Sequence, residues 1–205
     1  YLQEHGIPHA VTASTGIAAT HIGGSTIHAW SGIGARDSLN MYELDALESR
    51  KHIYDRYQRT SVLIIDEISM LSGTFLDTLN TVAKQMRRSE APFGGMQIVL
   101  CGDLFQLPPV THGGESLAID ARAWSELKPV VCYLHEQFRQ HDSNFTDILN
   151  AMRSLSLTDD HLTYLQERHQ DDETIEIDVT TTRIYTHNVD VDAENQKKLQ
   201  SLSGR

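Results

Sequence analysis

The sequence lacks several things that would place it quickly. No stretch approaches the ~20 consecutive apolar residues a membrane-spanning helix needs, and nothing reads as a secretory leader, so no membrane partner is expected. Cysteine is scarce. Cys101 and Cys132 both sit inside apolar runs and read as buried small hydrophobes, not as a disulfide scaffold, which suits a reducing compartment. Basic residues are few, 17 Lys+Arg against 28 Asp+Glu, and the net charge of −11 argues at first sight against a nucleic-acid binder. No Gly-Lys-Ser/Thr occurs anywhere, which excludes a Walker A phosphate loop within these residues. There is no initiator methionine either. Residues 1–6 read as the end of an amphipathic helix closed by Gly6, so the sequence is read as a fragment.

What is present is ordinary in bulk and uneven in place. A hydrophobic share of 40% over 205 residues supports a packed core, in one domain or one plus part of a second. Residues 1–110 carry a net −3 and residues 111–205 a net −8, helped by Asp171-Asp172-Glu173. The first part is therefore nearly neutral, and net charge alone decides nothing.

Short β-branched runs alternate with helical patterns, the mark of a parallel sheet covered by helices. Strands are expected at residues 9–13, 61–65, 97–101 and 130–134. The run Ser61 to Ile65 has no polar alternation and should be buried on both faces. Phe75, Leu76, Leu79, Val82, Ala83 and Met86 fall on one helical stripe, and Phe145, Ile148, Leu149 and Met152 on another. Residues 35–59 are polar, aromatic-dotted and helical, and are inserted between the first two of these strands. Residues 154–181 are polar and acidic. After them residues 183–186 read as a new strand and 189–202 as a new helix, the entry to a second domain.

Chemistry concentrates where the strands end. Ile64-Ile65-Asp66-Glu67 puts two carboxylates at the carboxyl edge of a parallel sheet, where ligands bind in open α/β folds. There one carboxylate can hold magnesium and its neighbour can polarise an attacking water; the plainer alternative is two carboxylates capping the next helix. Gly102-Asp103-Leu104-Phe105-Gln106-Leu107-Pro108-Pro109 follows another strand, and Gln106 could donate to a phosphate oxygen while accepting from water. A stiff turn with a polar rim is the alternative. Thr12-Ala13-Ser14-Thr15-Gly16 runs into a helix start rich in donors, which suits a phosphate of nucleotide or nucleic acid. Thr26, His28 and Trp30 add groups that could touch and stack on a single strand, although a tryptophan is more often core and a histidine a satisfied polar residue. Arg139, just past the last run, could stabilise charge on a transferring phosphoryl group or make a surface ion pair with Glu136 or Asp142.

The order and wording of these motifs closely resemble the PIF (petite integration frequency) family of ATP-dependent DNA helicases. The resemblance rests on Thr12 to Ala19, Gly23 to His28, Ile65-Asp66-Glu67-Ile68-Ser69-Met70, Gly102 to Val110 and Phe138-Arg139-Gln140, and covers the whole chain. It implies an α/β fold, a RecA-like P-loop NTPase parallel sheet with flanking helices but without its N-terminal strand and P-loop, plus the start of a second RecA-like domain. Residues 1–153 would be the partial first domain with a wedge-like insertion at 35–59, 154–181 the acidic connection, and 182–205 the start of the second.

The same resemblance implies ATP-driven 5′→3′ translocation on single-stranded DNA, with unwinding of duplexes, junctions and G-quadruplexes. The settings are DNA repair, recombination and telomere maintenance, in a prokaryotic cytoplasm or a eukaryotic nucleus or mitochondrion, and the working form is a monomer. Asp66 would hold Mg²⁺, Glu67 would activate the hydrolytic water, Gln106 would sense the γ-phosphate, and Arg139 would be an arginine finger in cis. Thr12, Ser14, Thr15, Gly16, Thr26 and His28 would touch DNA. Leu104 and Trp30 stand where the family more often has phenylalanine, with bulk kept. The missing phosphate loop is the serious departure, and it implies that these 205 residues alone hydrolyse no ATP. Two other readings stay open: a RecD-like or relaxase-type helicase, and a degenerate RecA-like domain that binds DNA or a partner without hydrolysis.

Overall fold

Aliphatic, β-branched runs build the sheet of this computed structural model, which describes residues 1–109, 116–140, 142–169 and 184–201. Strands β1 (His9–Ala13), β2 (Ser25–Thr26), β3 (Val62–Asp66) and β4 (Gln97–Leu100) are all parallel and lie in the order β2-β1-β3-β4. β1 and β3 are central, and Val62, Leu63 and Ile65 of β3 are buried, as an unalternated apolar strand requires. At the edge, β4 alternates instead: Gln97 and Val99 are exposed, Ile98 and Leu100 half-buried.

Helices fill the crossovers, α1 (Gly16–His21), α2 (Ile27–Ser31), α3 (Met41–Glu48), α4 (Lys51–Arg59) and α5 (Gly73–Arg87), and α6 (Arg122–Leu127) follows β4. All six apolar positions of the α5 stripe are buried. They pack with Leu63 and Ile65 of β3 and with Ile27, Ile33, Tyr57 and Phe93 into one core, each large side chain contributing about 1.5–3 kcal/mol relative to exposure. Ser72 starts α5 by accepting the Phe75 amide at 3.0 Å, and Arg88, at φ 49°, ends it. The insertion at 35–59 is helical as expected. Its α3 opens with a capping box in which Asn40 accepts the Glu43 amide and Glu43 accepts the Asn40 amide.

The described residues divide into two units, 1–136 and 137–205. The second holds α7 (Ser143–Arg153), α8 (Asp159–Gln166) and α9 (Asn188–Ser201). Asp142 caps α7, and His161 of α8 meets Asp147 of α7 at 2.9 Å.

Three expectations change. Residues 130–134 are not a strand: they pair with none among the described residues, and Val130 and Leu134 are 90% and 96% exposed. Their apolar pattern is a strand's, but a strand also needs an edge to bond to. Both cysteines are exposed, because Cys101 leaves the end of the edge strand β4 and Cys132 lies in this same unpaired stretch. Residues 184–186 form no strand, and Arg183 lies outside the described residues, as do 170–181 of the acidic stretch. Residues 1–6 make one turn, with the His5 amide on the Tyr1 carbonyl at 3.0 Å.

Candidate active site

With every strand parallel, the carboxyl ends open along one edge, and register decides which residues meet there. Ala13 pairs with Asp66 on one side and with Thr26 on the other, and Ile65 pairs with Leu100. The chain leaving each strand is bonded to its neighbour. The Ser14 amide donates to the Asp66 carbonyl at 3.1 Å, the Cys101 amide to Ile65 at 2.9 Å, and the Ile68 amide to Cys101 at 3.0 Å. Residues 14–16, 26–28, 66–69 and 101–103 thus share one rim.

Glu67 is held there in the left-handed region, at φ 54° and ψ 45°, a conformation that costs a non-glycine residue about 1–3 kcal/mol. Its amide donates to Asp66 Oδ1 at 3.0 Å, which holds the Asp66 carboxylate against the Glu67 backbone. Both are half-buried. The capping alternative finds no support: Glu67 makes no side-chain cap bond, and Ser72 caps α5. Among the described residues no three His, Cys, Asp or Glu side chains gather as a metal cluster. A magnesium at Asp66 would therefore rest on a single carboxylate and take its other ligands from phosphate and water, which is how this ion is ordinarily held beside a nucleotide.

The loop after β4 is pressed against that turn. A Cβ on Gly102 would lie 2.9 Å from Ile68 Cγ2 and 3.0 Å from the Ile68 amide nitrogen, so only glycine fits. Asp103 then turns the chain, its Oδ1 accepting the Phe105 amide at 3.1 Å and its carbonyl the Gln106 amide at 3.0 Å. The Gln106 side chain is exposed and donates from Nε2 to Asp103 Oδ2 at 3.3 Å. Phe105 and Leu107 beside it are largely exposed.

The hydroxyls on the β1 and β2 side divide by task. Thr12 is fully buried and donates its hydroxyl to the Ile64 carbonyl at 2.7 Å, so the expectation that it touches DNA is corrected: it braces β1 on β3 from within. Thr15 and Thr26 cap α1 and α2, each accepting an amide at 3.2 Å, from Ala18 and Ala29. Gly16 is exposed, and a Cβ there would meet nothing within 4 Å. Ser14 Oγ is buried and has no hydrogen-bond partner among the described residues, and the same holds for Ser69 Oγ across the rim. His28 is half-buried with its ring 4.4 Å from that of Phe75; burial lowers its pKa, against an opposing pull from Asp37. Trp30 belongs to the core and packs on Tyr57, as the plainer alternative had it.

The family model described as PIF1-like helicase matches residues 2–159, well over half of the chain.

The chain belongs to the PIF1-like helicase family.

Among its relatives, the ATP-dependent DNA helicase Pif1 of Psychrobacter sp. (strain PRwf-1) is 45% identical over 100% of this chain and 32% of its own length. The crystal structure of Pif1 helicase from Candida albicans superposes with a TM-score of 0.84 at 35% identity, over 99% of this chain and 46% of that one. A Bacteroides Pif1 helicase, solved with ADP-AlF3 and single-stranded DNA, gives 0.81 at 33% identity, over 97% and 48%. The parallel four-stranded sheet with flanking helices is thus the RecA-like fold of Pif1 helicases. The chain spans less than a third of the length of the curated relatives it matches.

For a PIF1-like chain the first unit therefore brings Asp66, Glu67, Ser14, Thr15, Gly16, Thr26, Gly102 and Gln106 to the elements of one edge. Arg139 is exposed and belongs to the second unit, so it is not among them. Sequence reasoning passed over Ser69, Ser72 and Asp37. Ser72 had a signal, a serine directly before an apolar helical stripe. Asp37 had none, because its partners Ser72 and Thr78 lie 35 and 41 residues away.

Proposed function

We propose that the chain is the greater part of the first motor domain of a longer ATP-dependent DNA helicase. The observation that carries this reading is the strained Glu67 beside Asp66, locked against the Gly102–Gln106 loop at the carboxyl edge of a parallel sheet, in a member of the PIF1-like family. In it Asp66 holds Mg²⁺, which supplies charge neutralisation at the phosphates, and Glu67 takes the proton of the attacking water. Gln106 reads the γ-phosphate through an exposed amide whose resting partner, at 3.3 Å, is easily exchanged. Arg139 stabilises charge in the transition state.

On the neighbouring rim Ser14, Thr15, Gly16, Thr26 and His28 take the DNA strand, by backbone amides and short polar groups that need no strongly basic surface. Residues 35–59 act as the wedge. Residues 1–153, 154–181 and 182–205 are first domain, connection and start of the second domain. The whole protein moves 5′→3′ on single-stranded DNA, opens duplexes, junctions and G-quadruplexes as a monomer, and works inside the cell in repair, recombination and telomere maintenance. No helix among the described residues is long and apolar enough to cross a membrane.

The test uses a longer protein that carries this chain, assayed for DNA-stimulated ATP hydrolysis and for unwinding of forks with a 5′ or a 3′ tail. Hydrolysis with opening of the 5′-tailed fork supports the reading. DNA binding without hydrolysis supports a degenerate binding domain and sinks it. The 205-residue chain by itself should hydrolyse no ATP, since none of its residues forms a Gly-Lys-Ser/Thr loop.

A further inference from the structure

Asp37 lies outside every motif of the site, in the stretch between α2 and α3 that opens the insertion. Its Oδ1 accepts the Ser72 hydroxyl at 3.1 Å, and its backbone carbonyl accepts Thr78 Oγ1 at 2.8 Å. Ser72 Oγ also accepts the Phe75 amide, so one hydroxyl serves the insertion as donor and α5 as acceptor.

The first turn of α5 is tied to the candidate active site on two sides and to Ser116 and Leu117 on a third. Toward Glu67 there is only the tight turn Ile68–Met70, closed by the Met70 amide on the Glu67 carbonyl at 3.1 Å and the Leu71 amide on Ile68 at 3.1 Å. Toward the chain that follows the Gln106 loop, the Gly73 amide donates to Ser116 at 2.8 Å and Ser72 is bridged to Leu117. Toward the proposed strand path, the Phe75 ring meets His28. At its other end α5 holds the insertion again, with Gln85 Nε2 donating to Glu48 Oε2 at 2.8 Å. A helix of 15 residues, about 22 Å long, thus carries the insertion at both ends and the hydrolytic turn at one.

We propose that Asp37 is a positioning residue: its bond to Ser72 passes displacement of the Glu67 turn into the 35–59 insertion and so gears hydrolysis to strand separation. This rests on the helicase reading above. Asp37 lies off the rim and acts through Ser72; its charge also favours the His28 imidazolium, a pull that the neutral Asp37→Asn removes while keeping the bond. Asp37→Ala removes the tie to Ser72 while Ser72 still caps α5 and the Asp37 carbonyl stays on Thr78, and Asp37→Asn keeps the Oδ1 acceptor.

The experiment measures base pairs unwound per ATP hydrolysed by the longer protein, together with kcat and KM on single-stranded DNA. Wild-type protein that neither hydrolyses nor unwinds defeats the functional reading before Asp37 is tested. With an active wild type, Asp37→Ala should keep single-strand kcat and KM within about twofold while base pairs per ATP fall about fivefold or more, the lower end of site-to-site couplings. Asp37→Asn should restore the ratio. An unchanged ratio in Asp37→Ala, a parallel fall of kcat and unwinding, or an Asp37→Asn as damaged as Asp37→Ala overturns the proposal. Should Asp37→Ala fail to fold, Ser72→Asp keeps an acceptor for the Phe75 amide and removes the hydroxyl that donates to Asp37; a lowered ratio there upholds the proposal, and an unchanged one overturns it.

Discussion

Gly102 and Ile68 approach so closely that the loop after β4 and the turn after β3 are in direct backbone contact, with no room for a Cβ between them. The loop carrying Gln106 and the turn carrying Glu67 therefore keep a fixed spacing, which a γ-phosphate lying between them would require. Gly102→Ala must push the two apart by several tenths of an ångström. The expected outcome is a loss of about 1–3 kcal/mol of stability, in the range of other overpacking substitutions, read as a lowered denaturation midpoint. DNA-stimulated ATP turnover of the longer protein should fall more than this alone explains, because the spacing itself is disturbed.

Glu67→Gln keeps the shape of the side chain and removes the base. ATP hydrolysis should drop by about 10²–10⁴-fold, while nucleotide affinity measured by equilibrium binding stays within a few-fold. Loss of affinity in step with turnover would show that Glu67 helps bind the nucleotide and is not the base.

How much of this was legible in the sequence follows from the range of each interaction. The elements themselves needed only local patterns: the apolar run before Asp66 and the α5 stripe from Phe75 to Met86 identified β3 and α5. The αL backbone of Glu67 was not legible, because glutamate has no preference for it; tertiary packing imposes it. Thr12 misled for a related reason. A threonine at a strand end looks the same in sequence whether its hydroxyl faces the rim or, as here, the Ile64 carbonyl. Val130 to Leu134 misled in the opposite sense, an apolar run with no strand beside it among the described residues.

Asn80 is a buried polar residue in the middle of α5, satisfied on both sides. Its Oδ1 accepts the Phe93 amide at 2.7 Å and its Nδ2 donates to Glu126 Oε2 at 3.0 Å. Phe93 is fully buried, so Asn80→Ala strands that amide without solvent. Destabilisation of about 1–3 kcal/mol is expected in chemical denaturation, the cost of one unsatisfied buried donor. Asn80→Asp restores the acceptor but faces Glu126, whose pKa the Lys84 and Asn80 hydrogen bonds hold down, and should rescue only in part.

His28 gives the fold a pH dependence of known sign. Burial lowers its pKa in the folded state, so near and below about pH 6.5 the unfolded chain binds a proton that the folded chain resists. Stability should decline as pH falls through that region and level off once the folded histidine is charged too. His28→Gln should flatten this part of the profile. Asp37→Ala should steepen it, since the Asp37 charge favours the imidazolium.

Arg139 provides the last test, and its arm of the proposal is independent of the rim. Its side chain is exposed and belongs to the second unit. A positive charge that acts chiefly on the transition state contributes to kcat and little to ground-state binding. Arg139→Ala should therefore lower ATP turnover by about 10³-fold, as loss of an arginine finger does, with KM for ATP changed only a few-fold. Arg139→Lys, which keeps the charge but not the planar fork, should recover a small part of that loss. Turnover surviving intact in Arg139→Ala would remove the finger assignment.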